Sequence, residues 1–138
     1  GFRNPFRLER STATCLLLID GLGWNLLKAH AEHAPFLAAL MQPDSHFKVG
    51  FPATTAASLA AVTSGMGSGA HGIVGCDFAL DAHSVFSPLS WTTAAAQTGS
   101  VPTAAPVAAS FIVPQTAWED AAKQGVQIST VMLGRYAT

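Results

Sequence analysis

The stretch Cys15-Leu16-Leu17-Leu18-Ile19-Asp20-Gly21-Leu22-Gly23 opens with five apolar residues and stops on a carboxylate and a glycine turn. A continuous apolar run of this length, bounded by turn residues, reads as a strand buried on both faces of a parallel sheet. In open parallel sheets, ligands bind beyond the carboxyl ends of the strands. Asp20 stands at such an end, as an oxygen donor suited to a hard or borderline metal. The plain alternative is a turn aspartate that caps the following helix.

Outward from this stretch, residues 1–14 are a polar lead-in. Residues 24–33 read as a helix, with Leu27 and Ala31 four apart. Pro35 suits the first turn of a second helix over 36–42, which Pro43-Asp44 ends. A short strand is expected at 46–50, a loop at 51–54, and an Ala-rich helix at 55–63 that Gly65 terminates. Gly67, Gly69, Gly72 and Gly75 predict a loop, followed by a strand at 76–80. Residues 92–110, rich in Ala, Thr, Pro and Val, read as a structured loop or peripheral segment. A helix at 118–124 stops at Gly125, and 126–133 reads as another strand. Strands alternating with helices predict an α/β fold with a mostly parallel sheet.

The 138 residues are enough for one domain with a sizeable core. Apolar residues make up 49% and charged residues 11%, which excludes a disordered chain and predicts that much of the surface packs against further chain. A net charge of −1 leaves no basic footprint for nucleic acid or an anionic membrane. The run at 15–19 is far too short to span a bilayer. The chain begins at Gly1 rather than Met, so a targeting segment ahead of it stays open. Cys15 and Cys76 form neither a disulfide framework nor a zinc ligand set; two reduced thiols in a cytoplasmic protein is the expectation.

A second constellation is Phe51-Pro52-Ala53-Thr54-Thr55-Ala56-Ala57-Ser58, with two threonines at the start of a predicted helix. Threonine there is an ordinary N-cap. The same place favours a phosphate, because helix N–H groups and the dipole point at it, and a hydroxyl at that point can attack phosphorus if a metal lowers its pKa. A third, Gly67-Ser68-Gly69-Ala70-His71-Gly72, formally satisfies a dinucleotide glycine pattern, but a predicted helix precedes it instead of a strand, which argues against that reading. His30 and His33, at i and i+3 of one predicted helix, are in principle able to share a metal; they are read as surface residues, as are His46 and His83.

In order and spacing, these pieces resemble the type I phosphodiesterase and nucleotide pyrophosphatase branch of the alkaline phosphatase superfamily. The matching segments are Leu-Leu-Leu-Ile-Asp-Gly-Leu-Gly-Trp (16–24), Ala-Pro-Phe-Leu (34–37), Phe-Pro-Ala-Thr-Thr-Ala-Ala-Ser-Leu (51–59), Thr-Ser-Gly (63–65) and His-Gly-Ile-Val-Gly (71–75). The resemblance covers roughly residues 14 to 136, strongly up to 91.

It implies an alkaline phosphatase-like fold, a mostly parallel sheet flanked by helices, with residues 1–138 as the N-terminal portion of one catalytic domain. It also implies metal-dependent hydrolysis of phosphodiester or nucleotide pyrophosphate bonds through a phosphothreonine intermediate, with two divalent metal ions, usually zinc. By this resemblance Asp20 is a metal ligand, and the nucleophile that also meets a metal is the threonine ten residues before Gly65, which is Thr55. Thr54 helps shape the phosphate pocket, and His71 and Gly72 are structural. Asp20 and Thr55 are expected to meet at the carboxyl edge of the sheet. The implied partner is a small phosphodiester or nucleotide.

Two departures stand out. Animal-type members place an asparagine five residues after the histidine, where this chain has Cys76. The later Asp-x-x-x-His and Asp-His segments that complete the family's metal sites do not occur in these 138 residues, so the chain is expected to hold only the nucleophile side of the site. Other superfamily hydrolases (a phosphomonoesterase or phosphonate hydrolase), a catalytically silent fragment and a non-catalytic α/β binding domain are the alternatives.

Overall fold

The computed structural model describes residues 8–44, 46–95, 103–104 and 116–132. The chain divides into two compact units, Gly1–Lys48 and Val49–Thr138.

In the first unit, α1 (Trp24–Ala29) starts from Gly23, whose carbonyl accepts from the Leu27 N–H at 3.0 Å. Lys28 sits in its last turn, where a cation complements the helix dipole. The single helix expected over 24–33 breaks at His30 (φ −124°, ψ 34°). A 3-10 turn at Ala31–His33 follows, then α2 (Pro35–Ala39), with Pro35 in the first-turn position that its missing N–H suits. Trp24 and His46 stack with ring centroids 4.3 Å apart.

Residues 15–19 do not form the buried strand their composition predicts. They are in no ladder and exposed: Leu17 is 73% and Ile19 45% accessible. An apolar run is buried only where a second layer lies on it, and the described part of this unit contains helices and turns but no strand. Residues 46–50 and 126–132 are likewise outside any ladder; Leu133 and residues 1–7 lie outside the described residues.

The second unit holds α3 (Thr55–Ser64), α4 (Ser68–His71), strands β1 (Phe78–Ala79), β2 (Ser84–Ser87), β3 (Thr92–Ala95) and β4 (Thr103–Ala104), and α5 (Ala117–Lys123). The chain is thus α/β in content. Its described sheet is an antiparallel meander in the order β1-β2-β3-β4, with Phe78 opposite Phe86, Val85 opposite Ala94 and Thr92 opposite Ala104. A parallel sheet is not found among the described residues. The strand expected at 76–80 contracts to β1, and β3 falls at the start of 92–110, a segment read as non-regular; 96–102 and 105–110 lie outside the described residues.

The core of this unit is Ala56, Ile73 and Phe86, with Ala60, Phe78, Leu89 and Trp91 packed around it. Phe86 meets Phe78 and Trp91 edge-on, with centroids 5.6 and 5.1 Å away. Edge-to-face contacts of this kind align ring quadrupoles favourably. α5 carries a capping box: the Thr116 hydroxyl accepts from the Glu119 N–H at 3.1 Å, and the Glu119 carboxylate accepts from the Thr116 N–H at 2.8 Å. The chain leaves α5 through Gly125, whose φ of 84° favours glycine.

The β1–β2 turn is held by Asp81, whose Oδ1 accepts from the N–H groups of His83 at 2.7 Å and Ser84 at 2.8 Å. The backbone bond from His83, then the bond from Ser84, hold its pKa below the usual aspartate value. A depressed folded-state pKa contributes stability that is present above the unfolded value of about 3.9 and lost as pH falls through the folded value. In an NMR titration, the His83 and Ser84 amide shifts should therefore move together, with a midpoint below that of a model aspartate. The step should vanish in Asp81→Asn. A midpoint at or above the model value would disprove the turn's role.

Candidate active site

The start of α3 distinguishes the two threonines. Thr54 has extended geometry (φ −114°, ψ 154°), and its hydroxyl accepts from the Ala57 N–H at 3.3 Å. Its carbonyl accepts from Ser58 at 2.9 Å, and its own N–H donates to the Pro52 carbonyl at 3.0 Å. Thr54 is therefore the N-cap, with its hydroxyl committed as an acceptor to the helix. Thr55 is the first helical residue and is half-buried. Behind it, Ala56 and Ala57 are buried, so the first turn is seated on the core.

The far end of α3 is equally defined. Gly65 adopts the left-handed conformation (φ 70°), and its N–H donates to Ala61 at 2.9 Å. Ser64 Oγ donates to the Ala60 carbonyl at 2.6 Å and accepts from the Met66 N–H at 3.2 Å. A ten-residue helix fastened at both ends presents Thr55 from a fixed position, at the end whose dipole favours an anion.

The glycine-rich segment after α3 contains one helical turn, α4, where only a loop was expected. It ends at Gly72 (φ 76°). His71 is 1% exposed, and its Nδ1 accepts from the Ile73 N–H at 3.1 Å. That assigns the ring proton to Nε2, which has no hydrogen-bond partner among the described residues. Through this bond His71 ties the glycine turn to Ile73 in the core, in line with the structural role expected of it.

Asp20 is exposed and follows the apolar run directly, ahead of Gly21 (φ 73°). The N-cap of α1 is Gly23, three residues further on. Asp20 belongs to the first unit and Thr55 to the second, and each is placed within its own unit. Cys15 and Cys76 are exposed free thiols. One group passed over in sequence is His30, Glu32 and His33, whose donor atoms lie within 4.8 Å of one another. Two histidines three apart signalled it; Glu32 did not stand out.

The model of the family type I phosphodiesterase / nucleotide pyrophosphatase matches residues 14–138. The chain belongs to this family. No curated protein and no solved structure matches it. The match takes in the Asp20 turn, the Thr54-Thr55 helix start and the His71-Gly72 turn. At family level the activity is hydrolysis of phosphodiester or pyrophosphate bonds, on small phosphodiester or nucleotide substrates, and the family is generally metal-dependent. Among the described residues, no helix is long and apolar enough to cross a membrane.

Proposed function

We propose that this chain carries the nucleophile side of a metal-dependent phosphodiesterase or nucleotide pyrophosphatase site, with Thr55 as nucleophile and Asp20 as a metal ligand. The observation that carries this reading is the division of labour at α3: Thr54 caps the helix, and Thr55 follows at the position that the family spacing to Gly65 assigns to the nucleophile.

The donor chemistry suits a divalent metal. Asp20 is an accessible carboxylate, and the Thr55 hydroxyl is a further oxygen donor of the kind hard and borderline cations take. The Asp-x-x-x-His and Asp-His segments that complete the family's metal sites are not in this sequence. Metal ions bound beside Thr55 would supply positive charge that lowers its hydroxyl pKa and offsets charge developing on the phosphorus oxygens.

Thr55 Oγ1 gives up its proton to solvent and forms a bond to phosphorus as the bond to the leaving phosphate or alcohol oxygen breaks. The product is phosphothreonine. Water then attacks phosphorus, the P–Oγ1 bond breaks, and the hydroxyl regains a proton. The N-terminus of α3 favours the negative charge held beside Thr55 in both steps.

The test is to quench enzyme containing this segment with substrate at low pH and map the phosphopeptide by mass spectrometry. Phosphate on Thr55 is expected. Phosphate on Thr54, or no covalent adduct under single turnover, sinks the assignment. This chain by itself is expected to hydrolyse a nitrophenyl phosphodiester negligibly. Chelator-sensitive turnover by these 138 residues would show that the site needs nothing beyond them.

A further inference from the structure

On a continuous α-helix, residues two apart face different sides, so Glu32 would point away from His30. The break at His30 and the tighter 3-10 turn that follows change this. His30, Glu32 and His33 instead bring one donor atom each to within 4.8 Å of the others, the one such group among the described residues. The Glu32 carboxylate lies 3.6 Å from His33 Nε2, and the two imidazoles face each other at 19° with centroids 6.1 Å apart. The backbone beneath is held by the His33 N–H to His30 carbonyl bond at 3.0 Å and the Ala34 N–H to Ala31 carbonyl bond at 3.2 Å. The ligand-bearing turn is thus formed before any ion arrives.

The geometry points to a surface site for a divalent first-row transition metal, zinc foremost, held by His30, Glu32 and His33. Zinc bonds of about 2.0–2.1 Å in a tetrahedron set donors about 3.4 Å apart. The donors need to close from within 4.8 Å to that spacing, and all three side chains are exposed. Two imidazoles and a carboxylate select zinc, copper or nickel over magnesium and calcium, which prefer all-oxygen shells. Three protein donors leave one position to solvent, so the site takes up metal reversibly. None of these residues belongs to the set assigned to phosphoryl transfer.

The test uses the 138-residue chain, freed of metal with chelator and titrated with zinc chloride against a competing indicator dye. One zinc per chain is expected, with the His30 and His33 imidazole NMR signals shifting together. His30→Ala and His33→Ala should each weaken uptake at least about tenfold, given that even outer-shell partners of metal ligands are worth about 10–100-fold. Glu32→Gln should weaken it less, and Asp44→Asn, at an exposed acid outside the group, should leave it unchanged. Excess magnesium should not displace the zinc. No uptake by the parent chain, uptake indifferent to both histidine variants, or uptake lost in Asp44→Asn would each overturn the proposal. None of these outcomes touches the reading of Thr55, which the phosphopeptide map tests separately.

Discussion

Thr55→Ala should lower turnover by at least about 10³-fold in the metal-loaded enzyme that contains this segment, because it removes the attacking oxygen itself. At about 1.4 kcal/mol per tenfold, that is about 4 kcal/mol of lost transition-state stabilisation. Thr55→Ser keeps an oxygen at the same position and should retain measurable activity. Thr54→Ala removes the acceptor that holds the Ala57 N–H, and should cost about 1 kcal/mol of stability. Its effect on kcat should be far smaller than that of Thr55→Ala. The two substitutions should therefore separate in turnover: Thr54→Ala shifts the melting midpoint and largely spares kcat, while Thr55→Ala abolishes kcat. Steady-state kinetics and thermal melts on the same preparations measure both. Full turnover by Thr55→Ala would remove the nucleophile assignment.

The largest effect on stability should come from Phe86→Ala. Phe86 is 1% exposed and touches both Phe78 and Trp91 edge-on. Truncating a buried phenylalanine costs about 3–5 kcal/mol, through lost transfer energy and the cavity left behind. Domains are held by only about 5–15 kcal/mol, so this one change should consume much of the stability of the second unit. The control is Phe36→Ala, which removes the same ring from a position that is 74% exposed and should stay within about 0.5 kcal/mol. Urea unfolding followed by tryptophan fluorescence compares them directly. Equal midpoints for the two variants would show that Phe86 is not the centre of the core.

The two variants bear on how far the molecule was legible in its sequence. The ends of α3 were readable because the residues that stop a helix act locally: threonine caps through its own hydroxyl, and glycine accepts a left-handed φ without strain. The same holds for Pro35 at the start of α2 and Gly125 after α5. The hairpin of β2 and β3 was not readable. Ser-Val-Phe-Ser and Thr-Thr-Ala-Ala carry little periodicity, and β2 is fixed by Phe86 reaching Phe78 and Trp91, which lie eight and five residues away. Residues 15–19 failed in the other direction, since apolar content states a preference for burial without supplying the surface that satisfies it. Of the site, the family spacing marked Thr55 and Asp20, while the respective roles of Thr54 as cap and Thr55 as first helical residue needed the hydrogen bonds. The His30–Glu32–His33 group depended on a helix break that no local residue signals.

Leu16, Leu17 and Leu18 are 66%, 73% and 52% exposed, and Val131 is 99% exposed. Both stretches lie in no ladder. In kinetic terms, each is an open end for strand addition between molecules. Loss of monomer should then follow a concentration dependence steeper than first order, so dilution protects the protein. The sticking step is collision, and the hydrophobic attraction behind it weakens on cooling. A charge placed at Leu17 would act as a gatekeeper at that end, slowing association without entering the chemistry at Thr55.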